Sequence, residues 1–315
     1  MIRLSLGTAI EFGLINQKND IPPTTAYIMV GNQCNNKCAF CSQSTESSTR
    51  RDRLSRVIWP EYTKEEISKA LKEYKGENIK RICLQSMASD EAHKEVEEFI
   101  SYIKDDITMP ISLSAKLEDD KEIQKFFAMG IDKIGIAIDA ANKTLYENIK
   151  GTNYQEKLDF VTNMARRYEG KISTHIIVGL GETHKDIYDL YTYLNNNNIS
   201  VSLFAFTPVR GTKMEKIKQP PIKSYRRVQL MTYMIDNGYT EDFFTFENGN
   251  IKEIKLDNEI TKDINKGYPF EIKGCKNCNR PYYNERPGST IYNYSRKLTE
   301  SEIELAIKEV GLDCV

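Results

Sequence analysis

Three cysteines fall within eight residues, in Cys34-Asn-Asn-Lys-Cys38-Ala-Phe-Cys41. The spacing CxxxCxxC puts three thiolates on one short loop, where all three can face one soft metal centre. No fourth ligand is near, so a 4Fe–4S cluster held there leaves one iron open to a substrate or cosubstrate. A closed structural zinc site wants four ligands and would need a distant residue to finish it. Cys275-Lys-Asn-Cys278 and Cys314, one residue from the C-terminus, form a second group. A lone CxxC is compatible with half a zinc site, a redox pair or a structural turn. A thioredoxin-like role has no short βαβ module around it. Cys83 stands alone in the apolar run IKRICLQ and reads as a small buried hydrophobe.

The cysteine count, seven, is odd, and residues 111–274 contain none. Such a distribution suits metal ligation or redox chemistry in a reducing cytoplasm, not a secreted disulfide scaffold. The 315-residue chain has 44 Lys+Arg against 45 Asp+Glu, a balance that argues against nucleic acid as a partner. No apolar run approaches the ~20 residues of a membrane span, and the first residues have no secretory h-region.

The elements that must position these cysteines alternate. Near-continuous apolar runs predict strands at 26–31, 79–85, 109–115, 133–139, 171–179 and 200–208. Amphipathic stretches between them predict helices at 63–74, 90–104, 119–129, 142–149, 154–167 and 183–195, with Thr63 and Glu66 at capping-box spacing. Strand–helix alternation implies an α/β fold with a parallel sheet and right-handed crossovers, either part of a barrel or an open doubly wound sheet. No GxGxxG follows the first strand, which disfavours the open sheet. The cysteine loop then follows the first strand, where catalytic loops of such barrels belong. Further helices are expected at 223–236 and 301–310, around a less regular region. The expected organisation is an N-terminal extension over 1–25, a barrel over 26–210 and a C-terminal extension over 211–315.

Cys34, Cys38 and Cys41, with Phe40 before the last, resemble the signature of the radical S-adenosylmethionine (SAM) superfamily. The resemblance spans roughly 26–238 and implies a partial (β/α)6 TIM-type barrel, in agreement with the six strands. It also implies a 4Fe–4S cluster whose open iron chelates SAM and generates a 5′-deoxyadenosyl radical. Carried onto this chain, the cosubstrate contacts are Phe40, Asp139 after the fourth strand, and Gly179, Gly181 and Glu182 after the fifth. From the residues alone, Asp139 could equally cap the next helix, and Thr183 could make the fifth-strand turn an ordinary helix start. Many members have Gly-Gly-Glu after the second strand; here Leu84-Gln85-Ser86-Met87 departs from it, leaving Gln85 and Ser86 as substitutes. Ser114 and Lys116 are candidates after the third strand.

The segment 176–221 is similar to the biotin and lipoyl synthase branch, and the whole most resembles the biotin-synthase-related subunits of two-component lipoyl synthases. That resemblance implies an auxiliary 4Fe–4S cluster on Cys275, Cys278 and Cys314, with Ser289 as an oxygen ligand, in an extension that folds over the barrel mouth. It implies sulfur insertion into an octanoylated carrier protein. The partners would be a second radical SAM subunit and a low-potential electron donor such as ferredoxin. A radical mutase or methylthiolation-type enzyme is the alternative.

Overall fold

The computed structural model describes residues 1–285, 288 and 290–311. Its centre is one eight-stranded sheet. In chain order the strands are β1 (Ile2–Leu4), β2 (Thr25–Val30), β3 (Glu61–Tyr62), β4 (Arg81–Ser86), β5 (Ile111–Ser114), β6 (Ile131–Gly135), β7 (Ile172–Val178) and β8 (Ser200–Ala205). The spatial order is β8-β7-β6-β5-β4-β2-β1-β3. The six strands from β2 to β8, leaving out β3, run parallel, and helices return the chain between them. This is the predicted α/β fold, a partial barrel. β1 and β3 add antiparallel at its β2 edge. Neither was expected, because two or three residues carry too little periodicity to read.

The crossover helices are α1 (Lys64–Glu73), α2 (Asp90–Ile103), α3 (Asp120–Ala128), α4 (Lys143–Lys150), α5 (Tyr154–Arg167) and α6 (His184–Asn196). Their apolar stripes cover the outer face of the sheet in one continuous core that includes Ile67, Val96, Phe99, Ile123, Val161 and Leu194. Thr63 and Glu66 close the capping box at the start of α1. Beyond β8 come α7 (Ile222–Asp236) and α8 (Glu300–Val310), which pack together through the buried Arg226 and its partner Glu309, 2.8 Å apart. The region expected to be irregular contains an antiparallel ribbon, Phe244–Glu247 with Asn250–Ile254, and a short helix, Asn258–Ile264.

The barrel interior is set by strand alternation. Gln85, Ser114, Gly135 and Ser173 are ladder partners across β4 to β7 and form one row. Two residues nearer the strand N-termini, Tyr27, Cys83 and Ser112 form the next row. The small side chains among them, Cys83, Ser112, Ser114 and Ser173, and Gly135 leave the lumen open.

Among the described residues no helix is long and apolar enough to cross a membrane.

Candidate active site in the barrel lumen

A cavity of about 370 Å³ runs through the lumen. At its mouth, the C-terminal ends of the strands, it is lined by Cys34, Cys38, Phe40 and Cys41. Gly31 starts their loop with φ +103°, and a Cβ there would lie 2.5 Å from that of Ala92, so the chain can turn off β2 only with glycine. The loop is then held by backbone hydrogen bonds on both sides. The Asn35 N–H donates to Ala88 O, Ala39 N–H to Ile149 O, and Met214 N–H to Ala39 O.

The donor set fits an iron–sulfur cluster. It is all sulfur, carried on a clamped loop, and the Gln43 N–H already donates toward Cys41 Sγ at 3.4 Å. Burial pushes the Cys41 thiol up to about 12 and raises that of Cys38, with the neighbouring cysteines adding to the shift at Cys41. Each thiol therefore gives up a proton on metal binding. Among the described residues no three His, Cys, Asp or Glu side chains are gathered at ion-holding distance. The three cysteines face one cavity, and a turn about χ1 is the motion each thiol has available.

Gln85, Ser86, Ser114 and Lys116 line the cavity wall, as does Asp139. Asp139 is no helix cap, since Asn142 caps α4. It is buried, with φ +67°, and both its oxygens are engaged, one by Lys150 and one by His175 Nε2 at 2.6 Å. Burial alone would raise its pKa, but the charges of Lys150 and His175 outweigh it and hold the carboxyl well below its usual range. The group that reaches from this pair toward the cysteine loop is Lys150, whose charge favours the Cys38 thiolate. Lys150, Lys157 and His175 line the cavity and were not assigned from sequence. Strand alternation, which points residues 173, 175 and 177 to one face, was the available signal for His175.

Gly179, Gly181 and Glu182 are not brought to the cavity wall. The Glu182 carboxylate accepts from the Gly179 and Leu180 N–H groups at 2.6 and 2.9 Å, so it closes its own loop. Ser289 and Cys314 lie outside the described residues.

Cys275 and Cys278 line the same cavity, but from the opposite end. The tail expected to fold over the mouth lies outside the described residues, and this motif lies at the other end. Its loop seals the floor, where the strands begin. Thr24 and Thr25 hydroxyls both donate to Asn277 O at 2.8 Å, and Asn279 Oδ1 accepts from Thr24 N–H and Tyr27 O–H. Arg81, the first residue of β4, is anchored by Asp132 and reaches Lys276 O at 3.4 Å. Gly274 permits the approach. Its φ is +124°, and a Cβ would lie 1.9 Å from Ser202 Oγ on β8. Cys83 is corrected. It is half-buried on the lumen face of β4 and lines the cavity, one side-chain row nearer the floor than Gln85.

The chain spans only part of its relatives. A biotin synthase of Persephonella marina is 24% identical over 68% of this chain and 60% of that protein. A 3-methylornithine synthase of Methanosarcina acetivorans is 24% identical over 61% of this chain and 54% of that protein. Among solved structures, that of methylornithine synthase superposes with TM-score 0.53 at 16% identity, over 73% of this chain and 66% of the other, a likeness of fold. The radical SAM superfamily model matches residues 28–194, more than half of the chain and the stretch that holds the CxxxCxxC loop and the strands behind it. By that match, with the lumen cavity and its cysteine mouth, this chain belongs to the radical SAM superfamily.

Proposed function

We propose that this chain is a sulfur-inserting radical SAM enzyme of lipoyl-synthase type. One observation carries it: a single lumen has cysteines at both ends, Cys34, Cys38 and Cys41 at the mouth and Cys275 and Cys278 at the floor. A substrate carbon held between them lies between a radical source and a sulfur source. A 4Fe–4S cluster with SAM on the mouth cysteines would supply the 5′-deoxyadenosyl radical, and a second cluster on the floor cysteines would supply sulfide.

The residues of the chain do the rest. Ile177 and Phe204 give the lumen apolar surface suited to an acyl chain. Gln85, Ser86 and Ser114 offer polar contacts for the cosubstrate near the mouth. Asp139 fixes Lys150 and His175 beside them. The floor loop and the clamped mouth loop fix the two ends of the lumen. The substrate would be an octanoyl chain on a carrier-protein lysine, attacked at C6 or C8. A second radical SAM subunit would make the other insertion, and a ferredoxin-type donor would supply electrons in the reducing cytoplasm.

The test is anaerobic incubation of the reconstituted protein with SAM, a low-potential reductant and an octanoyl-lysyl carrier peptide. Thiolated octanoyl product and 5′-deoxyadenosine are expected together. The likeness to a 3-methylornithine synthase favours a radical mutase as the second reading. Substrate hydrogen transferred to 5′-deoxyadenosine, with no sulfur in any product, would select it over sulfur insertion.

A further inference from the structure

We propose that Cys83 joins Cys275 and Cys278 as one three-sulfur donor set, a second metal site built into the barrel floor from a strand and a plugging loop. The proposal rests on the second centre put forward above, and it names which sulfurs hold that centre.

All three are free thiols and all three line the lumen cavity. Cys83 is in ladder register with Tyr27, and the Tyr27 hydroxyl lies 3.9 Å from Cys278 Sγ, so strand and loop cysteines meet around one tyrosine. Cys83 and Cys278 also pack against the same small cluster of Tyr27, Met29 and Cys34. The backbone of the loop is fixed, so the three sulfurs, which are not gathered at ion-holding distance, close on one ion by rotation about χ1. Asn277 is held at φ +63° while the Cys278 N–H closes a turn on Cys275 O, and Gly274 lies against Ser202 with no room for a Cβ.

A cation lies in the surroundings. Arg280 is buried two residues beyond Cys278, stacked between the rings of Tyr27 and Trp59 at 5.8 and 5.5 Å. It lies near Cys278 and Cys83, the loop and strand members of the set. A buried cation beside three thiols is the environment of a soft-metal or iron–sulfur site, and its charge offsets part of the ligand charge. The two loop cysteines also line a second, outer cleft below the floor, between Lys273 and Lys276. The site therefore has an entry path that does not pass the mouth, one requirement for loading a metal.

The test uses the full chain with Cys34, Cys38 and Cys41 replaced by alanine, so that only the floor site can take metal. Cd²⁺ alone is the first probe, because its sulfur-to-metal absorption grows with the number of thiolate ligands. Adding Cys83→Ala is expected to lower that absorption by about one third and to weaken binding at least tenfold. Cys83→Ser, which replaces only the sulfur by oxygen, should give the same loss while the protein melts close to its parent. The second probe is anaerobic reconstitution with iron and sulfide. About four irons per chain are expected to fall to near none on Cys83→Ala and to remain on Cys314→Ala. Full iron on Cys83→Ala with loss on Cys314→Ala would overturn the assignment of Cys83 and leave the second centre standing. No iron in the parent variant, with Cd²⁺ still bound through three thiolates, would remove the sulfur source but keep the donor set. Cd²⁺ absorption unchanged by Cys83→Ala would overturn the proposal outright.

Discussion

At the scale of single residues, the lumen is organised by ion pairs and thiols whose partners are far apart in sequence. Asp139 is the clearest case, a buried carboxylate that holds Lys150 and His175 at the cavity wall. The Lys150 side chain is only 12% exposed, so removing the carboxylate leaves a cation with little solvent, its remaining contacts being the Ala137 carbonyl and the Tyr146 ring. Asp139→Asn is therefore expected to cost about 3–5 kcal/mol in denaturant unfolding. Adding Lys150→Met should recover most of that loss, since an apolar pair of similar volume replaces the broken one. A stability equal to wild type for the single variant would show that Lys150 finds another partner. The reading of Asp139 as a ligand residue and the reading as a helix cap were both local. Neither could see Lys150, eleven positions on, or His175 on the next strand.

At the scale of elements, His184 ties three of them together. It begins α6, its Nε2 meets Ser224 Oγ of α7 at 2.6 Å, and its Nδ1 accepts from the Ile251 N–H of the ribbon at 3.0 Å. Burial lowers its pKa from 6.5 to about 4, with the charge of Arg227 adding to the shift. Between those values the unfolded chain binds a proton that the native protein does not, so stability rises with pH there. The contribution is complete above about pH 6.5 and is lost as pH falls toward 4, on the order of 3 kcal/mol in all. Melting temperatures from pH 4 to 7.5 should show this acid loss in wild type and a smaller one in His184→Gln. Parallel profiles for the two proteins would place the acid sensitivity elsewhere.

At the scale of the whole molecule, two cysteine groups from opposite ends of the chain close opposite ends of one lumen. Metal bound at either end holds only the folded chain together, so loading should stabilise it by mass action. Anaerobic reconstitution with iron and sulfide is expected to raise the melting temperature by about 5 °C or more. Protein that takes up iron and sulfide but melts unchanged would mean the sulfurs are not gathered by the fold. The relatives also bear on scale: this chain spans 60% and 54% of the two named above, so its substrate and partners are argued from its own lumen.

Much of this was legible in the sequence for a local reason. The six parallel strands and the crossover helices follow from apolar periodicity, and the Thr63–Glu66 capping box from residues three apart. The CxxxCxxC loop announced its chemistry because spacing alone puts its three sulfurs on one short loop at the mouth. The edge strands β1 and β3 were too short to carry a pattern, and the ribbon at 244–254 lay in a stretch read as irregular. Gly179, Gly181 and Glu182 were picked from a local motif, yet they shape their own turn and stay off the cavity wall. What only the tertiary structure decided is the second group. Cys83 and Cys278 are 195 positions apart, and no periodicity links a strand interior to a late loop. They share a lumen because β4 faces inward at Cys83 and the loop at Gly274 fits under β8. The sequence by itself determined a parallel βα barrel with a cluster-binding loop at its mouth, because those depend on short-range order. Closure of the sheet decided what faces that loop across the lumen, because it turns distant inward-facing residues toward one space.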